Sequence, residues 1–436
     1  MASTRTSSRP RAPAGRDAAR KRWTVLVYLA GDNNLDSAGV VDLGEMKEAG
    51  SSAEVDVVAQ FDRSGAARKT RRYHLRKGTT LAQDRVAELG ETDSGDPAVL
   101  QDFLLWGIAG YPADRYLVVL WNHGAGWDDT DVYRAVRRGT GRGIRYKRRP
   151  LAGTATRARA LRLSDVHRVA TRMRRAVFST GIAKAVTTRG ILYDDSARDF
   201  LDNLELERVL AKVKSKLGRR IDVLGLDACL MSMVEVAYQV RGAVGVQVGS
   251  EELEPADGWP YAAILKKLAA SPSMTARELA KTIVDAYLAS YRASDVVTQS
   301  ALDLARCDDL ARAIDDLARA LRAGCADPET LLAIVRARRS TQHYDTKDYV
   351  DLAHLAARLK APGTGAAIAD ACDIVLGAVE GAVIASGSKG AAAADSNGLS
   401  IYFPETRASP LYAKLDFAKR SEWDAFLEAY RQALSG

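Results

Sequence analysis

Cysteine is scarce in this sequence, with four in 436 residues. That is too few to build a disulfide-stapled scaffold at such a length. Long apolar runs are missing as well. No stretch reaches the ~20 residues needed to cross a bilayer, which excludes an integral membrane helix. Val25–Ala30 is too short for the apolar region of a secretory signal and reads better as a strand. A reduced cytoplasmic setting is therefore the default expectation, with secretion by another route left open. Cofactor signatures are also lacking: the sequence has no HExxH, no paired CxxC and no P-loop. The glycine-rich Gly139–Gly143 stretch has no preceding strand to make it a dinucleotide loop.

What is present is an ordinary globular balance, with 47% hydrophobic and 27% charged residues. At roughly 100–200 residues per domain, it allows two or three compact units with a large core. The net charge of +8 is unevenly placed. Residues 1–22 carry +6 and little to bury, so they read as a solvated, disordered tail. Residues 131–190 hold 17 Lys/Arg against Asp131 and Asp165, leaving −13 for the rest of the chain. An acidic body with a basic tail and a basic insert does not describe a general nucleic-acid binder. The insert also has few aromatics for base stacking, namely Tyr133, Tyr146 and Phe178. A nucleic-acid-binding protein using that insert is kept as the alternative reading.

Continuous apolar runs at Trp23–Ala30, Val55–Phe61, Tyr116–Trp121, Ile221–Leu226 and Ala243–Gly249 predict strands buried on both faces. Arg71–Arg76 alternates and predicts an edge strand. Helical spacing follows Asp96 and again Asp202-Asn203, where Gly218 supplies the stop, and Met233–Val240 reads as a further helix. Strands alternating with helices predict an α/β fold with a mostly parallel sheet covered on both sides. Three regions follow: the 1–22 tail, a core over 23–262 carrying the insert, and a mostly helical part over 263–436 with one late strand at Gly398–Phe403. The stretch Leu279–Leu321 is Ala/Leu-rich at helical spacing.

Ligands of parallel sheets sit beyond the carboxyl ends of the strands. Tyr116–Trp121 runs into Asn122-His123-Gly124, and Ile221–Leu226 runs into Asp227-Ala228-Cys229. If these strands are neighbours, a thiol and an imidazole share one edge, which suits nucleophilic attack on a carbonyl. Glycine after His123 leaves its N–H available as an oxyanion donor; the Cys229 N–H, placed at the start of the following helix, is the second. Taken singly, a cysteine ending an apolar strand is usually a small core residue, and a histidine beside tryptophan is often structural. The other histidines and cysteines lack even this context.

Several ordered pieces resemble the clostripain family of cysteine peptidases, which share the caspase-like fold. They are Trp23–Asp36, Leu117–Trp127, Leu192–Leu206, Asp222–Glu235 and Gly249–Tyr261, with a weaker echo at Asn397–Pro404. The resemblance implies a dyad of His123 and Cys229 and an endopeptidase acting on proteins or peptides after Arg or Lys. It places Asp227, two residues before the nucleophile, at the base of the pocket for that side chain. A carboxylate there suits a guanidinium. Asp257, in a Pro/Gly-flanked turn, is a second pocket candidate, although a turn-capping Asp is an equally good description. Self-cleavage between the His and Cys motifs is also implied, with Arg142, Arg145, Lys147 and Arg148 as candidate sites within the insert. The chemistry needs no cofactor. Calcium enters only through the family, with acids such as Asp32 or Asp36 to serve it and no EF-hand loop present. A catalytically retired or acyl-transferring relative is the remaining rival.

Overall fold

The computed structural model describes residues 20–65, 69–127, 191–194, 197, 199–405 and 408–435. The tail through residue 19 and the whole basic insert, with the four candidate processing sites, lie outside the described residues.

The N-terminal half contributes β1 (Lys21–Gly31), β2 (Val55–Arg63), β3 (Thr70–His74), β4 (Arg85–Gly90) and β5 (Ala113–Trp121). After the insert come β6 (Ile191–Asp194), β7 (Asp199–Leu201), β8 (Ile221–Asp227), β9 (Val244–Gly249) and β10 (Val297–Asp303), then β11 (Tyr349–Asp351), β12 (Val383–Lys389) and β13 (Ser400–Tyr402). Nine strands form one sheet in the order β12-β10-β9-β8-β5-β1-β2-β3-β4. Its five central strands, from β9 to β2, are mutually parallel. Two antiparallel strands extend each edge.

The apolar runs are unbroken because both faces are covered. Along β1, Leu26 and Tyr28 enter one core cluster, whereas Trp23, Val25, Val27 and Leu29 enter the other. The helix over Pro97–Gly110 starts as read, with the Asp96 side chain accepting from the Ala98 N–H. At Asn203–Leu217, Asp202 and Glu205 form a reciprocal capping box and Gly218 ends the helix at φ 75°.

Four expectations change. β1 begins at Lys21, so the last tail residues enter the sheet, where the Lys21 ammonium pairs with Asp56 at 2.8 Å. β3 is not the edge; β4, exposed and charged, lies outside it. The helical stretch over 279–321 is interrupted by β10, whose polar TQS residues are buried through antiparallel pairing with β9 and β12. The late strand, β13, pairs with β11 in a separate two-stranded sheet. The region 263–436 thus holds four strands, β10 to β13, where one was expected, with helices between and after them, and it packs on the core through Tyr402 against Trp127 and Phe417 against Tyr238.

Candidate active site

Chain order reverses across β1, since β2 lies on one side of it and β5 on the other. Crevices beyond such a switch point are where open parallel sheets bind ligands. β5 pairs with β8 in a register that sets Trp121 beside Asp227. Carried two residues further, the same register sets His123 across from Cys229. The Asn122 N–H donates to the Asp227 carbonyl at 3.3 Å, extending the pairing past the strand ends.

Gly124 shows how close the two loops run. A Cβ there would lie 2.3 Å from the Cys229 carbonyl oxygen and 3.0 Å from its nitrogen, so no other residue fits without moving the backbone. The cleft at this edge is lined by His123, Asp227, Cys229 and Glu254, among others, with Leu35 and Pro255 on its walls. The structure thus brings His123, Asp227 and Cys229 to one cleft, with Gly124 packed against the Cys229 backbone. Asp257 is not on the lining; it occupies a turn in which the Gly258 N–H donates to the Pro255 carbonyl at 2.9 Å.

His123 is buried, and its Nε2 lies 2.8 Å from Asn34 Oδ1. Because that oxygen accepts, Nε2 carries the proton and Nδ1 is the basic nitrogen of the neutral ring. Asn33 and Asn122 staple the ends of β1 and β5: both amides donate to the Ala30 carbonyl, at 3.1 and 2.7 Å, and they bond to each other at 3.3 Å. Asn33 and Asn34 are not among the candidate residues that the sequence singles out. Their signal was position, directly after a buried strand and within a family-like segment.

Cys229 is 5% exposed. Its sulfur accepts the Glu254 N–H at 3.2 Å and lies 3.8 Å from the Glu254 carbonyl. Burial, with Glu254, Glu252 and Asp345 nearby, pushes the thiol up to about 12. The resting group is thus a protonated thiol. It is not at a helix start as expected, because the next helix begins at Val234. Between them Leu230 holds φ 63°, a conformation costly for a non-glycine residue. Burial also raises the Asp227 carboxyl above its usual range. It accepts the Tyr261 hydroxyl at 2.6 Å and is bonded by the Trp259 N–H and the Glu254 carboxyl.

The acids named for calcium do not form a cage. Both oxygens of Asp36 are taken by Arg63, at 2.8 and 2.9 Å, and Asp32 is buried. Among the described residues, no group of three or more His, Cys, Asp or Glu side chains is placed to hold a metal. The remaining cysteines, Cys307, Cys325 and Cys372, are buried packing residues. Among the described residues, no helix is long and apolar enough to cross a membrane.

A thiol and an imidazole at the ends of adjacent parallel strands, in a helix-covered sheet of this order, define a caspase-like cysteine-peptidase architecture. The clostripain family model matches residues 27–141 and 180–430, and the chain belongs to that family of cysteine peptidases. It is similar to clostripain from Hathewaya histolytica, with 24% identity over 381 residues that cover 76% of this chain and 61% of the relative. The chain thus spans about three fifths of that curated relative's length. Among solved structures, it resembles a secreted C11 cysteine protease from Bacteroides thetaiotaomicron bound to an irreversible peptide inhibitor. The TM-score is 0.62 at 20% identity, covering 93% of this chain and 99% of that one. An inactive zymogen C11 protease from Parabacteroides distasonis gives a TM-score of 0.60 at 19% identity, covering 92% and 98%. These two likenesses concern the fold. They lend no weight to the cytoplasmic default, since the Bacteroides protein is a secreted one.

Proposed function

We propose that this protein is a cysteine endopeptidase that hydrolyses peptide bonds after Arg or Lys through a dyad of Cys229 and His123. The observation that carries the reading is the packing of Gly124 against the Cys229 backbone, with His123 and Asp227 lining the same cleft. In the first step Cys229 Sγ attacks the scissile carbonyl carbon while its proton passes to His123 Nδ1. A thiol held near 12 makes this transfer accompany attack, in place of a resting thiolate–imidazolium pair. The Gly124 and Cys229 N–H groups receive the developing oxyanion. The C–N bond then breaks as His123 returns the proton to the leaving amine. Water, deprotonated by His123, hydrolyses the thioester. Asp227 pairs with the P1 cation. Self-processing within the basic insert, at Arg142, Arg145, Lys147 or Arg148, belongs to the same proposal, because those side chains would suit the same pocket. Calcium has no part in these steps, and Asp257 is proposed only as a residue of the pocket's outer turn.

The test compares wild type with Cys229→Ala on an Arg-reporter peptide and on a denaturing gel. The variant should lose at least about 10⁴-fold in kcat/KM and stay full length where wild type is cut. Hydrolysis retained by the variant would remove the nucleophile assignment. A wild-type protein without hydrolysis would favour a retired relative.

A further inference from the structure

We infer that Glu254 is a second specificity-determining carboxyl of the P1 pocket, which gives its proton to solvent when the cation of an Arg or Lys side chain enters beside Asp227. The inference rests on the basic-P1 reading above and goes beyond it. Glu254 lines the cleft together with Asp227 and Cys229 and is 7% exposed. Its carboxyl meets that of Asp227, and Gln299 Nε2 donates to its Oε1 at 3.1 Å. Among the described residues Oε2 accepts no hydrogen bond of good geometry, although the Trp259 indole N–H lies near enough to favour its charged form.

The groups facing Glu254 are the Asp227 carboxyl from β8, the Cys229 thiol, the phenols of Tyr261 and Tyr287 from two flanking helices, and that of Tyr291 just past the end of the second. Asp42 lies one shell out, with Oδ2 3.7 Å from where a Gly258 Cβ would stand. All are acids, and among the described residues no Lys or Arg acts on either carboxyl. Two buried carboxyls in contact cannot both ionise cheaply, so they share one proton, and burial holds Glu254 well above the ordinary carboxyl range. An incoming guanidinium or ammonium reverses the balance: the O–H bond of Glu254 breaks, the proton goes to bulk water, and two carboxylates face one cation. An uncharged P1 side chain gives no such exchange.

The experiment measures kcat/KM for two peptides that differ only in P1, Arg or norleucine, from pH 5.5 to 9. Titrations of His123 and Cys229 act on both substrates and cancel in the ratio, and neither P1 side chain titrates in this window. The Arg/norleucine ratio should rise about tenfold or more with pH in wild type and be flat in Glu254→Gln. A large ratio that is flat in wild type, or that rises equally in the variant, overturns the inference while leaving the basic-P1 reading intact. A ratio near one at every pH overturns both. Should Glu254→Gln not fold, binding of the Arg peptide to Cys229→Ala by calorimetry in buffers of different ionisation enthalpy gives the answer. Release of about one proton supports the inference, and release of none overturns it.

Discussion

Glu251 and Glu254 leave the same segment three residues apart, and each pairs with a buried aspartate, yet the two pairs are built to different ends. Glu251 turns toward the C-terminal part of the chain. Its oxygens accept the Tyr344 hydroxyl at 2.6 Å and the Gly398 N–H at 2.9 Å. Its partner Asp351 accepts from the His354 N–H at 2.7 Å and from the Asn397 side chain at 3.0 Å. Every direction is filled by a fixed donor, so this pair acts as a clamp between sheet and helices. Glu254 has one well-placed donor in Gln299, a buried oxygen with none of good geometry, and a place on the cleft wall. A buried carboxyl pair is therefore not by itself a site. Incomplete satisfaction beside a cleft is what separates a pocket from a cross-link.

Exchanging the two behaviours is the strongest way to break this contrast. Asp227→Asn should lower the Arg/norleucine ratio by a hundredfold or more, as expected from ~3–5 kcal/mol for a buried charge pair that loses one partner. Its thermal midpoint should change little. A ratio unchanged from wild type would end the role of Asp227. On the clamp side, Asp351→Ala strips partners from Glu251, Tyr344 and Asn397. It should cost about 3 kcal/mol in urea unfolding while leaving the Arg/norleucine ratio where it was. A shifted ratio with unchanged stability would invert the assignment of the two pairs.

Gly124→Ala tests how tightly the two loops are held at the cleft edge. The new methyl must displace the Cys229 backbone, so turnover should fall at least tenfold for a stability loss of about 1–3 kcal/mol. Turnover equal to wild type would mean that the loops relax freely. The smallest effect concerns a carboxyl outside both pairs. Asp62, held by the Thr70 and Ser94 hydroxyls at 2.6 and 2.7 Å, is raised by burial to about 7. The folded state then keeps a proton that the unfolded chain releases near ~4. Its stabilising contribution is full below that value and is lost as pH rises to about 7, at up to ~1.4 kcal/mol per pH unit. Asp62→Asn should flatten that slope in unfolding midpoints taken at pH 5 and 7. An unaltered slope would assign it to other carboxyls.

The central strands were legible because a strand buried on both faces must be apolar throughout, as Trp23–Ala30 and Tyr116–Trp121 are. The capping residues Asp96 and Asp202 were legible because their chemistry is local. β10 was not, since its Thr298, Gln299 and Ser300 are buried by cross-strand pairing that no local pattern encodes. At the site, His123, Gly124, Asp227 and Cys229 could be read from strand ends and family-like segments. Asn34 and Glu254 could not, because their roles depend on which loop the fold folds back over the dyad. The position of Cys229 five residues ahead of its helix also escaped, since Leu230 adopts a backbone conformation that its residue type does not announce.

The join between β5 and β8 has a consequence for chain integrity. His123 and Cys229 are 106 positions apart in sequence, but what holds them together is lateral. Beyond the strand pairing, Tyr349 Oη donates to the Ala125 carbonyl at 2.8 Å, and Asn203 Nδ2 to the Gly126 carbonyl at 3.3 Å. Trp127 wedges between Tyr402 and Tyr412, its ring centroid 4.7 and 4.8 Å from theirs. None of these contacts needs a continuous backbone from one side to the other. A chain severed between Trp127 and Ile191 would keep them all and become a tightly held heterodimer of its own halves. Its unfolding would then be a dissociation, with a midpoint that climbs with protein concentration where that of the uncut chain stays still.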